Sequence, residues 1–69
     1  MKKFDYKKLI EIREERGYSQ VDVAYFNEVV LATVKNWEED ETTPDANMIG
    51  KLASYFKVST DYFYIEVKE

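Results

Sequence analysis

Apolar residues return every three or four positions along most of this chain, the spacing of one buried helix face. Between Tyr6 and Arg16 they fall at Leu9, Ile10 and Ile12 among Lys, Glu and Arg, and Gly17 follows where a left-handed residue ends a helix. Ser19 is suited to accept the free amides of a second helix, Gln20 to about Phe26, whose inner face is Val23 and Ala24. A third helix runs from about Val30 to Glu39, with Val34 and Trp37 on one side, and its apolar content exceeds what one buried face requires. It ends in the acidic loop Glu39-Asp40-Glu41-Thr42. Thr43, Pro44 and Asp45 then read as cap, first-turn proline and first-turn acid of a fourth helix, 45–56. Met48, Ile49, Leu52, Ala53 and Phe56 form its inner stripe, and Gly50 is placed to allow a close helix contact. Ser59 or Thr60 caps a last short helix, 60–64, with Asp61, Tyr62 and Phe63. The tail from Phe63 to Glu69 alternates loosely, so a terminal strand is the less favoured reading there. The expectation is a single all-α domain over 1–69, of five helices near 6–16, 20–26, 30–39, 45–56 and 60–64.

Composition narrows the function classes. Sixty-nine residues supply one modest core and no cleft between two lobes. The absence of cysteine and histidine removes disulfides, a thiolate nucleophile, an imidazole base and a soft-metal site, so no metal and no cofactor are expected. Apolar runs such as Val29 to Ala32 fall far short of the ~20 residues of a bilayer span, and Lys2-Lys3 is not followed by a signal-type apolar region. A soluble, cytoplasmic chain without membrane association is expected. Net charge is −4, divided as about +2 over residues 1–16 and −6 over 17–69. Binding DNA draws much of its affinity from phosphate neutralisation and counterion release, and only the N-terminal segment offers a basic patch.

The stretch from Ser19 to Asp40 has the length and spacing of a helix-turn-helix, in which the second helix usually enters the major groove. Together with LIEIREERGYSQ, VDVA, TVKNWE, TTPD and IGKLASYFKVSTDYF, in that order, it makes the chain from Leu9 to Tyr64 resemble the lambda-repressor-like (Xre/Cro type) helix-turn-helix family. The resemblance implies a compact five-helix DNA-binding domain. It implies further that Arg13 and Glu38 form a partly buried ion pair joining the first helix to the end of the third, with two solvated charges as the alternative. Gln20 matches the position where relatives bond a DNA phosphate. Val30, Leu31 and Ala32 stand where relatives begin the recognition helix with polar base readers, and at best Val30 and Ala32 touch a thymine methyl. Lys35 and Asn36, one turn on, are the best base-contact candidates, with a plain solvated face as the alternative. Leu31 and Thr33 lie near them, and Lys2, Lys3, Lys7 and Lys8 give basic support. Where relatives often carry cations after this helix, Glu39, Asp40 and Glu41 would repel phosphate.

The turn also departs from the family pattern, which has an apolar residue at position 27 and a small one, usually glycine, at position 28. The ungapped register buries Asn27 and leaves Tyr25 and Phe26 outward, at about 1–3 kcal/mol for an unpartnered amide. A shifted register makes Asn27 the left-handed residue and Phe26 the core residue. The shifted register is favoured, because Asn tolerates that backbone region better than Glu.

Two functions follow. One is a sequence-specific DNA-binding regulator, repressor-like and of phage or mobile-element type, a homodimer on a double-stranded operator. The other is the same fold turned protein-binding module, an anti-repressor or inhibitor that uses Tyr25, Phe26, Val30 and Leu31 beside the acidic loop. An enzyme built on Glu14-Glu15 or Glu38-Asp40 is disfavoured, since neighbouring helix-surface acids do not converge on one site.

Overall fold

The structure is a computed structural model and describes residues 1–68; Glu69, the end of the tail read as a strand candidate, lies outside them. A short strand β1 (Lys2–Phe4) leads into helices α1 (Tyr6–Glu15), α2 (Gln20–Asn27), α3 (Leu31–Glu38) and α4 (Ala46–Phe56), a 3-10 turn (Thr60–Phe63) and strand β2 (Tyr64–Glu66). The fold is thus mostly helical, with four α-helices. The expected fifth helix is a single tight turn, because Tyr64 is already extended and hands the chain to β2.

Side-chain caps start three of the helices. Asp5 accepts the Lys7 amide at 3.1 Å, and Asp45 accepts that of Met48 at 2.9 Å. Ser19 and Asp22 form a reciprocal capping box at 3.1 and 2.9 Å. Asp45, not Thr43, is therefore the cap of α4, and Pro44 sits buried before it rather than in its first turn. A carboxylate within reach of the third amide supplies what the threonine was expected to supply. Helix α3 starts at Val30 without any side-chain cap.

All four helices end alike. The amides of Tyr18, Val29, Glu41 and Val58 reach back five residues to carbonyls at 2.9 to 3.0 Å, around left-handed residues Gly17, Glu28, Asp40 and Lys57. Val29 and Val58 then pack against the core, so each turn is held by an apolar contact as well as by hydrogen bonds.

The core gathers Leu9 and Ile12 from α1, Val23 and Ala24 from α2, Val34 and Trp37 from α3, and Ile49, Leu52, Ala53 and Phe56 from α4. Phe4 and Phe63 complete it. Their rings lie 6.3 Å apart, and β1 pairs antiparallel with β2 in the register Lys2–Glu66, Lys3–Ile65, Phe4–Tyr64. The tail therefore does form a strand, whose partner is the N-terminal segment. Gly50 makes no close helix contact, since a Cβ there would meet nothing within 4 Å.

The turn between α2 and α3 adopts the ungapped register, against the favoured shifted one. Glu28 is the left-handed residue at φ 57°, Asn27 is fully buried, and Phe26 remains 51% exposed. Two contacts offset the inversion. The Asn27 side-chain amide donates to the Met48 carbonyl at 3.3 Å, and the Phe26 ring lies 3.7 Å from that of Tyr55. The Asn27 Oδ1 oxygen is left without a partner.

Two stability predictions follow from these sites. Lys57→Gly relieves a left-handed lysine and should raise stability by about 0.5–1 kcal/mol, whereas Gly17→Ala at φ 75° should lower it by a similar amount. Unchanged urea midpoints for both would show that these turns hold no strain. Asn27→Val removes the unpartnered oxygen at similar volume and should stabilise by about 1–2 kcal/mol, and a lower urea midpoint would refute this account of the buried amide.

Candidate nucleic-acid interface

Helix α3 is held by its last buried residue. The Glu38 carboxylate accepts from Arg13 Nε at 2.7 Å, from Arg13 Nη2 at 2.9 Å and from Gln20 Nε2 at 3.0 Å. Arg13 also donates to the Tyr18 carbonyl at 3.0 Å. The two side chains of the pair are only 13% and 5% exposed, so the fork is largely removed from water. Its hydrogen bond to Glu38 raises the Arg13 pKa, against the opposing effect of burial. One carboxylate thus joins α1, the start of α2 and the end of α3.

Trp37 and Val34 anchor the inner side of α3 in the core, which fixes what the helix shows outside. Leu31, Ala32 and Lys35 are exposed, Thr33 and Asn36 are half-buried, and Val30, just ahead of the helix, is 70% exposed. The structure therefore brings Leu31, Lys35 and the half-buried Asn36 onto one helix, with Val30 at its cap position. Gln20, expected at a phosphate, has one of its two side-chain N–H groups bonded to Glu38.

The lysines are spread more widely. Lys8 lies 5.2 Å over the Tyr62 ring and Lys7 lies 5.9 Å from that of Tyr6, both on α1. Lys2 meets Asp61 at 3.5 Å, and Lys3 comes within 3.9 Å of Asp40, so β1 brings a cation to the acidic loop after α3. That juxtaposition was not readable from the sequence, because it depends on β1 pairing with the far end of the chain. The S-x-x-D spacing of Ser19 and Asp22 was a readable capping signal that the sequence reading left unused.

A second surface lies on α2 and α4. Tyr25 is 81% exposed, and the rings of Tyr18, Tyr55 and Phe26 succeed one another at 4.9 and 3.7 Å beside it. Phe26, Glu28, Lys51, Ser54 and Tyr55 line a shallow groove of about 400 Å³. Burial, and next the neighbouring Tyr18, push the Tyr55 phenol above its usual range. Its hydroxyl has no hydrogen-bond partner among the described residues, so burial rather than a formed bond carries that shift.

Removing one member of the Arg13–Glu38 pair leaves a buried charge uncompensated. Arg13→Met should therefore destabilise by about 3–5 kcal/mol, while Arg13→Met combined with Glu38→Leu should lose markedly less. Equal losses in thermal unfolding would show the two residues to be energetically independent.

Three comparisons converge on this arrangement. The helix-turn-helix family model matches residues 9–63. The HTH-type transcriptional regulator ImmR of Bacillus subtilis (strain 168) is 36% identical over 56 residues, 81% of this chain and 44% of that protein. The crystal structure of a transcriptional regulator from Listeria innocua superposes with a TM-score of 0.83 at 30% identity, over 93% of this chain and 60% of that one. The chain thus spans about half the length of the curated relative. Since the family match runs from the first core leucine, Leu9, to the last core phenylalanine, Phe63, and takes in both helices of the motif, the chain belongs to the lambda-repressor-like (Xre type) helix-turn-helix family.

Proposed function

We propose that this chain is a DNA-binding transcriptional regulator, or the DNA-binding part of one, that places α3 in the major groove. The observation that carries the reading is the pose of α3: its inner side is pinned by Val34, Trp37 and the Arg13–Glu38 pair, and its outer side exposes Leu31, Ala32 and Lys35. Lys35 supplies the one full cation on that outer side, able to reach a guanine edge or a phosphate, and Asn36 lies beside it. Lys3 lessens the repulsion of the acidic loop through Asp40. A single module of this size contacts little DNA, so the regulator acts as a homodimer on a two-fold operator. The family resemblance favours a repressor of phage or mobile-element type. The exposed Tyr25 and Phe26 favour a second role, contact with another protein, which is compatible with the first.

Titration against the upstream DNA of its own gene and a scrambled duplex at about 50 mM salt tests the proposal. Preferential binding to the first is expected, and Lys35→Ala should weaken it about tenfold, the equivalent of one contact of roughly 1–3 kcal/mol. Indifference to both DNA sequence and Lys35 at low salt would sink the assignment.

A further inference from the structure

The outer face of α3 begins with no hydrogen-bonding side chain. Val30 is 70% exposed, Leu31 and Ala32 are exposed, and Val30 gives no side-chain cap, so the exposed side chains that lead this face are hydrocarbon, with Thr33 half-buried behind them. The base edges of a major groove carry donors and acceptors at every pair, and one apolar group, the thymine C5 methyl. From this mismatch we infer that the first turn of α3 selects thymine-bearing base pairs through their methyl groups. The inference rests on the reading of α3 as the groove element and names what that element reads.

Selection works in both directions. A thymine methyl set against Leu31 or Ala32 leaves water, which favours binding. A cytosine amino group or a guanine carbonyl set against the same side chains loses its water and gains no partner, which disfavours it. Helix geometry then orders the site. Leu31 and Lys35 lie four residues apart on one stripe, as do Ala32 and Asn36. Each stripe therefore pairs an apolar side chain with a polar one about a turn further along. The half-site expected is a run of thymines followed by a guanine for Lys35 or an adenine for Asn36. Because the contact is to a methyl group, 5-methylcytosine at a thymine position should be accepted better than cytosine.

Selection of bound duplexes from a randomised pool, followed by replacement of single thymines with deoxyuridine, tests this on the chain as it stands. Deoxyuridine differs only by the missing methyl, and each contacted position should bind about fourfold more weakly. Leu31→Gln, at an exposed site, should abolish the deoxyuridine effect at one position and keep it at the others. A selected site that is poor in thymine, or that binds equally with deoxyuridine, overturns the inference and leaves DNA binding intact. Failure to enrich any duplex overturns the reading of α3 itself.

Discussion

The Glu38 carboxylate is the point on which the arrangement of the helices depends. It takes two hydrogen bonds from Arg13 on α1 and one from Gln20 at the start of α2, while sitting at the end of α3. An ion pair this buried contributes little net stability, because losing water costs roughly what the pairing returns. Its contribution is direction: a planar fork tolerates little rotation of α3 against α1. Trp37, next to Glu38, fills the core from the same turn, so packing and hydrogen bonding fix the same angle. The outward residues of α3 are thereby determined by residues that face inward.

Charge sets the terms on which that helix meets a partner. With a net charge of −4, and Glu39, Asp40 and Glu41 directly after α3, general attraction to phosphate is weak. The strand pair moderates this locally, because Lys3 comes within 3.9 Å of Asp40. For the proposed DNA complex, little affinity is then left to come from the backbone, and discrimination would rest on the few side chains that can touch bases. An apolar first turn suits such a domain, since methyl contacts need no counterion release.

Much of the fold was legible because it is local. The stripe of Ile49, Leu52 and Phe56, the left-handed turn at Gly17 and the cap at Ser19 each declare themselves within a few residues. What was illegible depends on distant parts of the chain. Two three-residue strands are too short to show a period, and Phe4 enters the core only because Tyr64 lies opposite it. At the turn after α2, local preference pointed the wrong way: asparagine suits a left-handed backbone better than glutamate, yet Glu28 takes it. The reach-back hydrogen bond of Val29 and the packing of its side chain outweigh a residue preference of about 1 kcal/mol. Lys57, followed by the core-packed Val58, repeats the pattern. The candidate site was legible as far as its residue types, but which of them faced outward waited on that turn.

The same turn shows where folding economy yields. Asn27 is buried with one oxygen unpartnered, while Phe26 beside it is half exposed, and Val30 and Leu31, three and four residues after Asn27, are exposed. Exchanging the amide for an apolar side chain is open to any single substitution, so the retained cost of roughly 1–3 kcal/mol is not forced by the fold. Helices α1 and α4 show no comparable inversion: their buried residues are all apolar. The inverted burial of Asn27 and Phe26 and the exposed Val30 and Leu31 lie on α2, α3 and the turn between them, where a surface shaped for contact rather than for stability is expected. The other unpartnered buried oxygen among the described residues, the Tyr55 hydroxyl on α4, belongs to a ring packed on Phe26 of that same surface. If α3 is the groove element as proposed, the apolar residues at its start are part of what it reads, and the buried Asn27 belongs to the turn that aims it.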